Sequence, residues 1–463
     1  MTRLAIFISI IAPIHSRLRE SVLPQHGQSA VWYHGTVALP HSRAKRLESG
    51  LPSIFPNLAT GFAIVLGHIG TLVGIQFQGQ RQPIDQPNAR LSRSIRIQCC
   101  SMDRRDFTKL SASVLAGTSL PSFARNADAS MKPVGYAAIG LGSISDIFMR
   151  ACANSQTAKI TALVTGHPDT KGAKYAAMYG IPKTSIYTYE SFDRILDNKD
   201  VDAVYVGLPN SMHCEYTVRA AQAAKHVLCE KPMAISSAEC RKMIDACRQA
   251  NVKLMIGYRV HYDPTWMQVI KIIGSGKIGQ LQSFHGGFFG QQPAGTWRLS
   301  RKLGGGGALM DLGIYTLNTI RHITGEEPAE FTAVLSTREQ GSRFAEMEQS
   351  MEWTMKFPSG ILASCGCSYG QRGPSTLSIN GEKGYLVMEP AFNYEGGRLH
   401  GEVDGQQIDQ LSPGKHPFQF TLETEHFSDC IRNNNEPESP GEEGLKDMLA
   451  IEAIYKAAGA PIA

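Results

Sequence analysis

The sequence has no pair of cysteines at the CxxC spacing of a zinc site. Its ten cysteines are scattered over 463 residues, and the CxC of Cys365 and Cys367 has no histidine or second cysteine pair nearby at ligand spacing. A chain of this length buries a large core, so a disulfide framework is not expected either. We therefore predict that the cysteines are small buried apolar residues and that the protein has no metal site.

Most of the chain also lacks an excess of positive charge. The formal net charge is +5, but residues 1–101 carry ten Lys and Arg against three Asp and Glu. The totals of 46 and 41 then leave 36 basic and 38 acidic residues for 102–463, a net charge of −2. This balance gives no support for a nucleic-acid partner.

Residues 1–101 show no sustained helical or strand period. The apolar run at 59–77 is long enough to be considered as a membrane span, but its histidine, glycines and threonines make it a marginal one. We predict that residues 1–101 are a non-native or disordered leader. We also expect no stable membrane insertion of the mature protein.

Residues 102–129 have the layout of a twin-arginine export signal. Met102 is followed by Arg104 and Arg105, then by a weakly apolar stretch and a small-x-small cleavage pattern at 127–129. Such signals lie at an N-terminus, so our hypothesis is that Met102 is the true start and that residues 1–101 are upstream sequence. The mature, periplasmic protein would then begin near Ser130. The alternative is a chance match inside a genuine leader.

Residues 131–257 alternate short apolar runs with amphipathic segments. The runs VGYAAI, KITALVT, a short SIYTY, VDAVYV, HVLCE and KLMIGY read as strands. The longer segments between them, among them ESFDRILDN at 190–198, read as helices. Buried strands that alternate with helices indicate a parallel sheet covered on both faces. We predict a doubly wound α/β domain here, with a second domain over 258–463.

The turn after the first strand carries the pattern of a dinucleotide site. Gly140 and Gly142 allow a tight turn, and the helix that opens at Ser143 and Ile144 would present its backbone N–H groups to a phosphate. Ser145 stands at the third glycine position, which weakens the pattern. The alternative is a tight structural turn.

The end of the second strand indicates which dinucleotide would bind. It reads Thr165-Gly166-His167, with Lys171 close behind. No carboxylate stands where NAD-binding folds hold the ribose 2′-hydroxyl, whereas a hydroxyl and an ammonium group could bind a 2′-phosphate. We therefore favour NADP over NAD as the cofactor.

Polar residues follow three later strands, at the sheet edge where open α/β folds bind ligands. A glycine run at 304–307 then precedes Asp311 and Tyr315, whose i, i+4 spacing puts them on one helix face. Each feature alone could be structural, for example Asn210 as a helix cap or Tyr315 as a core residue. Together they favour a site. The strand-end residues are Leu208, Asn210, His213, Glu230, Lys231, Arg259 and Tyr262.

Six motifs resemble those of the glucose–fructose oxidoreductase/inositol dehydrogenase family, in order and spacing, over about residues 131–460. They are GLGSIS, LPNSMHCE, CEKPM, GYRVHYDP, WR and GGGGALMDLGIY. The resemblance implies an N-terminal Rossmann domain and a C-terminal α+β domain. The latter has a large, mostly antiparallel open sheet used for contacts in a homodimer or homotetramer. Alternating segments such as SMEWTMKF agree with that sheet.

The resemblance also assigns residues to roles. It implies Lys231, Asp311 and Tyr315 as the catalytic residues, which with Tyr262 contact the substrate, and a cis bond before Pro232. The cofactor residues it implies, together with the strand-end set, are Gly140, Gly142, Ser143, Ile144, Thr165, Lys171, Tyr189, Leu208, Asn210, His213, Glu230, Lys231, Arg259, Trp297 and Arg298. Thr165 and Lys171 fall at the 2′-phosphate and Tyr189 at the adenine.

These assignments imply an NADP-dependent sugar oxidoreductase, of the glucose–fructose oxidoreductase kind, that oxidises an aldose at C1 to a lactone and reduces a second sugar. A tyrosine is a poor base at neutral pH unless a cation favours its phenolate; Lys231 would supply that cation, and Asp311 would orient the group or relay the proton. Two alternatives stay open. One is a glycosidase of the same family with retained NAD, and the other is a non-catalytic NADP-binding sugar sensor.

Overall fold

The computed structural model describes residues 132–339, 343–415 and 418–460, together with the backbone of three earlier strands. Those strands, β1 (Thr60–Leu66), β2 (Leu72–Gln78) and β3 (Arg96–Gln98), pair as an antiparallel sheet in a separate unit. The rest of the leader and the whole export signal at 102–129 lie outside the described residues, so both remain predictions.

Six parallel strands form the first sheet of the main unit, in the order β6-β5-β4-β7-β8-β9. The central strands β4 and β7 are buried along their whole length, as expected for a parallel sheet with both faces covered. The predicted doubly wound fold is confirmed. The strands are β4 (Val134–Ile139), β5 (Ala158–Val164), β6 (Ile186–Tyr187), β7 (Ala203–Val206), β8 (His226–Glu230) and β9 (Leu254–Gly257).

Helices α1 (Ser143–Ala153), α2 (Ala173–Tyr179), α3 (His213–Gln222) and α4 (Ser237–Gln249) connect these strands. Local signals set their ends. The Ser236 hydroxyl caps α4 by accepting the Glu239 N–H, and α2 ends at Gly180 in the left-handed region. A π-helical turn (Pro168–Gly172) precedes α2. The helix predicted at 190–198 is instead a short 3₁₀ segment, Phe192–Asp197.

The second sheet has eight strands in the order β11-β12-β13-β10-β14-β15-β16-β17. All neighbours pair antiparallel except β10 and β13, which are parallel. Cys365 and Cys367 lie on the packed face of β13 and are buried, which confirms that they are core residues. The strands are β10 (Leu281–Phe289), β11 (Glu330–Ser336), β12 (Ser350–Lys356), β13 (Leu362–Ser368), β14 (Thr376–Gly381), β15 (Tyr385–Met388), β16 (Arg398–Val403) and β17 (Gln406–Leu411).

The last two helices return to the first sheet. Phe427, in the helix Phe418–Asn433 (α8), is part of the core that contains β4. The Tyr136 hydroxyl lies 2.9 Å from Ser428 Oγ, and the Ile256 N–H donates to the Ser439 carbonyl. The predicted boundary after Gly257 thus separates the two sheets but not their helices. The later helices are α5 (Pro264–Gly274), α6 (Arg301–Gly304), α7 (Ile314–Thr324), α8 (Phe418–Asn433) and α9 (Gly441–Ala457).

Two short helical turns also occur in the second half of the chain. One is a 3₁₀ turn at Arg259–Tyr262, and the other is a π-helical turn at Leu309–Gly313 that leads directly into α7. Among the described residues, the helices are all too short or too polar to cross a membrane.

Candidate active site

The turn between β4 and α1 has the geometry of an anion-binding loop. Gly140 has φ +78°, and a Cβ there would lie 2.7 Å from the Gly207 carbonyl oxygen, so only glycine fits. Gly142 precedes α1 with no side-chain cap and with open space beside it. Exposed Ser143 and half-buried Ile144 follow. The first N–H groups of α1 therefore face outward without a side-chain acceptor, as a phosphate site requires.

The departure at Ser145 has a packing explanation. Its side chain is buried, and a Cβ on Gly207 would lie 2.4 Å from Ser145 Oγ. A small residue at this position lets α1 approach the loop after β7. Ser145 therefore allows the close packing of helix and strand for which this position usually holds glycine.

Thr165, Lys171 and Tyr189 lie together at the ends of β5 and β6. Thr165 is buried, and its hydroxyl accepts the His167 N–H at 3.1 Å. Lys171 is exposed in the turn before α2. The Tyr189 ring lies 3.4 Å from the place of a Gly166 Cβ. Residues 165–167 carry a hydroxyl and no carboxylate. The following turn holds both Asp169 and the exposed ammonium group of Lys171, and the latter suits a ribose 2′-phosphate.

The loops after β7 and β8 are tied to each other and to the glycine run. His213 is buried between the carbonyl oxygens of Leu208 and Pro232, each 2.9 Å from a ring nitrogen. Asn210 is also buried and donates to the Gly304 carbonyl at 2.9 Å. The polar groups of Asn210 and His213 therefore contact protein, and these residues fix the loops in place.

The β8 strand ends in Glu230, Lys231 and Pro232, and the Lys231–Pro232 bond is cis, as the resemblance implied. Glu230 points under the sheet edge, where it accepts the Tyr205 hydroxyl at 2.6 Å and the Lys231 N–H at 3.2 Å. Burial raises the pKa of Glu230 against the opposing effects of Tyr205, Lys231 and Arg259. Glu230 therefore holds the backbone of Lys231 in place through its hydrogen bond to the Lys231 N–H.

Lys231 and Asp311 form a partly buried ion pair between the two halves of the site. Lys231 Nζ donates to Asp311 Oδ1 at 3.1 Å and to the Asp311 carbonyl at 2.7 Å. Arg298 Nε and the Tyr369 hydroxyl both donate to Asp311 Oδ2 at 3.0 Å. Burial acts to raise the Asp311 pKa, but Lys231 and Arg298 outweigh it and lower the pKa to about 2. Asp311 is therefore a fixed carboxylate that orients Lys231.

Tyr315 lies between two cations. Lys231 Nζ is 4.5 Å from the centre of its ring, and Arg259 Nε donates to its hydroxyl oxygen at 3.2 Å. Arg259 is held in turn by Gln419 Oε1 at 2.8 Å and by the Phe392 carbonyl. Two cationic side chains therefore contact Tyr315, one over its ring and one at its hydroxyl oxygen. The predicted grouping of Lys231, Asp311 and Tyr315 is present in the structure.

Two predicted residues have other surroundings. Tyr262 is buried in the core beneath β9, with its hydroxyl 4.0 Å from Met255 Sδ, so its prediction as a substrate contact needs correction. It turns away because the 3₁₀ turn at 259–262 sends Arg259 and Tyr262 to different surroundings. Trp297 reaches the site through Arg298, whose guanidinium lies 4.5 Å from the Trp297 ring centre.

Three contributors were missed from sequence. Tyr369 contacts Asp311, Gln419 contacts Arg259, and Tyr205 contacts Glu230. A tyrosine directly after β13 is a weak signal of the kind already used for the other strand ends. Gln419, in α8, has no sequence signal, because it is brought to Arg259 by the return of the chain to the first sheet.

The glycine run at 304–307 allows the chain to pack closely against Glu348 and Tyr455. The N–H groups of Gly307 and Leu309 donate to the buried Glu348 carboxylate at 3.2 Å, and the Gly307 N–H also lies 3.1 Å from the Tyr455 hydroxyl. A Cβ at Gly307 would lie 2.4 Å from the Glu348 carbonyl oxygen. The run lets Asp311 and Tyr315 approach Lys231 closely.

One group of possible metal ligands occurs among the described residues. His261, His322 and Glu438 each place a ligand atom within 4.8 Å of the others. The two imidazole rings, however, are stacked 3.8 Å apart at 13°. Ring-nitrogen lone pairs lie in the ring planes, so those of two parallel rings do not converge on one ion. The absence of a metal site stays a prediction.

Comparisons with known proteins agree with this geometry. A family model described as an oxidoreductase family with an NAD-binding Rossmann fold matches residues 134–258. The GFO/IDH/MocA C-terminal domain model matches residues 266–387. The D-xylose 1-dehydrogenase (NADP+) of Haloarcula marismortui is 31% identical over 344 residues, 70% of this chain and 91% of that protein.

Two further relatives extend the comparison. The 1,5-anhydro-D-fructose reductase of Ensifer adhaerens is 28% identical over 294 residues, 62% of this chain and 85% of that protein. The crystal structure of aldose-aldose oxidoreductase from Caulobacter crescentus, complexed with glycerol, superposes with a TM-score of 0.68 at 42% identity. It covers 71% of this chain and 98% of that one.

Proposed function

Because the chain belongs to the GFO/IDH/MocA oxidoreductase family, we propose that it is an NADP-dependent enzyme that oxidises an aldose at C1 to a lactone and reduces a second sugar. The observation that carries the proposal is the Lys231–Asp311–Tyr315 cluster at the carboxyl edge of a parallel sheet. Its relative named aldose-aldose oxidoreductase supports the use of two sugars.

The chain's own residues divide the work of the reaction. Tyr315 takes the proton of the sugar hydroxyl on its own oxygen, to which Arg259 donates, while Lys231 lies over its ring. Asp311, with Arg298 and Tyr369 on its other oxygen, keeps Lys231 in place. NADP bound at the Gly140 turn would accept the hydride. In the reduction of the second sugar the transfer runs in the opposite direction, and Tyr315 returns a proton to the sugar oxygen.

The choice of NADP rests on the end of β5. Thr165 and the exposed Lys171 offer a hydroxyl and a positive charge at that edge, and no acid stands at 165–167. A D-xylose dehydrogenase relative is named for NADP+. Replacement of Lys171 by glutamate should therefore lower the preference for NADP over NAD.

Export to the periplasm is a separate proposal that rests on the sequence pattern at 102–129. We infer that the protein is exported by the twin-arginine route and that the mature form begins near Ser130. Mass measurement of the native protein tests this. Peptides from residues 1–101 in the purified protein would contradict it.

The reaction is tested on the purified, processed protein. Its absorbance shows whether NADP co-purifies, and a screen of aldoses and ketoses shows which sugars reduce NADP+ and which reoxidise NADPH. Reduction by one aldose and fast reoxidation by a second sugar support the two-sugar reaction. Slow reoxidation by every sugar indicates an ordinary dehydrogenase. Cleavage of aryl glycosides without net turnover of the cofactor indicates the glycosidase alternative.

A further inference from the structure

A small cavity lies behind the Lys231–Tyr315 pair. Besides that pair, Tyr258, Val260, Ile314, Asn318 and Thr319 line it, and it has room for about one water molecule. Tyr258 and Val260 come from the segment that follows β9, and Ile314, Asn318 and Thr319 come from α7. The cavity is therefore lined by Lys231 and Tyr315 and also by residues to which no role in the reaction has been assigned.

Polar groups at this cavity are left with hydrogen-bonding capacity that the described part of the chain does not fill. The Thr319 hydroxyl is buried without a hydrogen-bond partner there, and the buried Tyr258 hydroxyl faces Asp447 with its acceptor side unused. Lys231 uses two of its three ammonium N–H groups on Asp311. Buried polar groups pair with protein or with ordered water, and a buried water needs two to four such partners. The cavity meets that requirement.

Beyond Tyr258 lies a buried carboxylate. Burial and the nearby Asp447 both raise the pKa of Tyr258, so its hydroxyl stays neutral and can accept one proton while it donates another. Asp447 accepts the Asn318 Nδ2–H at 3.0 Å and a bond from Arg321. Burial raises the Asp447 pKa despite Arg321. Arg321 also binds Glu327 and Glu443, which are partly exposed.

We propose that one buried water joins Lys231 to the Tyr258 hydroxyl, and that the proton released by sugar oxidation leaves through this water and Tyr258 to Asp447. The inference rests on the proposed sugar oxidation. The Tyr315 oxygen takes up the hydroxyl proton and passes one proton to Lys231, which gives one of its own to the water. The water gives one to the Tyr258 oxygen, whose own proton passes to the Asp447 carboxylate. Only Asp447 ends with an added proton, and reduction of the second sugar returns it.

Substitution of Tyr258 by phenylalanine removes the hydroxyl and keeps the ring. With the relay broken, we expect kcat to fall about tenfold or more, KM for the sugar to change less than about threefold, and the solvent deuterium isotope effect on kcat to rise. Thr319→Val removes the other hydroxyl at the water without changing its size, and should act in the same direction. Thermal unfolding checks that both variants fold.

Tyr262→Phe is the matched control, since Tyr262 is equally buried but lies in the core outside the cavity. If the wild-type protein oxidises no sugar, the proposed function fails. If it does, and Tyr258→Phe and Tyr262→Phe give equal rates and isotope effects, the relay alone fails. A crystal structure with no water within about 3.3 Å of both Lys231 Nζ and the Tyr258 hydroxyl also overturns the relay, whatever the activity.

Discussion

At the scale of single residues, Lys231 is the residue that contacts both other members of the catalytic cluster. It bridges Asp311 and the ring of Tyr315. We expect Lys231→Ala to reduce kcat about a hundredfold or more, because Tyr315 loses one of its two cations. Asp311 keeps Arg298 and Tyr369, so the fold should persist. Initial rates of NADP+ reduction, with circular dichroism, measure both effects.

Lys277→Ala is the control for that substitution, because Lys277 pairs with Asp404 on the protein surface. Its rates should match those of the wild type. Unchanged activity in Lys231→Ala would instead favour a non-catalytic sugar sensor.

Asp311 gives a prediction about stability and pH. Its pKa is lowered from 3.8 to about 2 in the folded protein, so its ionised form stabilises the fold above the unfolded pKa, by about 2 kcal/mol. This contribution is lost as the pH falls from about 4 toward about 2. Asp311→Asn should therefore lower the free energy of unfolding at pH 7, and the deficit should shrink as the solution is acidified.

Denaturant unfolding at several pH values from neutral to acid measures the Asp311 effect. Asp409→Asn is the control, since Asp409 pairs with Arg398 on the surface, where ion pairs contribute little. A deficit in Asp311→Asn that stays constant with pH would show that the lowered pKa is not its cause.

At the scale of elements, a substitution at the N-terminus of α1 should affect cofactor binding and helix stability differently. Ser143 is exposed in the first turn of α1, next to an uncapped Gly142. A glutamate there favours the helix through its dipole but repels a phosphate. We expect Ser143→Glu to weaken NADP binding about tenfold or more with no loss of thermal stability. Fluorescence titration with NADP measures the affinity.

Ser143→Gln separates the charge of that substitution from its size, and should bind NADP more tightly than Ser143→Glu. Equal affinities for the two variants would place the phosphates elsewhere.

The glycine run before Asp311 tests the packing explanation. Gly307→Ala would force a Cβ to 2.4 Å from the Glu348 backbone, and overpacking of this kind costs about 1–3 kcal/mol. Because Asp311 follows on the same segment, activity should fall as well. Gly274→Ala has nothing within 4 Å of the new Cβ and should be neutral. Thermal unfolding compares the two, and equal midpoints would contradict the packing role.

Features that depend on neighbouring residues could be predicted from the sequence, whereas contacts between residues far apart in the chain could not. Period and turn residues were enough for β4 to β9, for the Gly140 turn and for the polar strand ends, because each depends on neighbours in sequence. Gln419 and Tyr369 reach the site only through the packing of α8 and the pairing of β13. Tyr262 was misplaced because a 3₁₀ turn, which the alternation pattern does not reveal, redirects its side chain.

At the scale of the whole molecule, the two sheets depend on each other. The first sheet supplies Lys231 and the phosphate turn, whereas Asp311, Tyr315 and Tyr369 come from the second half of the chain. Helices α8 and α9 then pack back against the first sheet and bring Gln419 to Arg259. Because both halves complete one site, we expect a fragment that ends at Gly257 to lack activity even where it still binds NADP.

The outer face of the second sheet is the surface where the family resemblance predicts homo-oligomer contacts. Along β12 and β13, side chains alternate between buried and exposed, so one face is packed and the other is open. Exposed Ser364 lies on that open face, paired with Thr354 on one side and His285 on the other. An arginine at 364 would bury an unpaired charge in any face-to-face dimer, which is strongly unfavourable. Light scattering after size-exclusion chromatography should show a multiple of the chain mass for the wild type and a single chain for Ser364→Arg. Ser275→Arg, the same change on an exposed residue after α5, should leave the mass unchanged, and a monomeric wild type would refute the assembly.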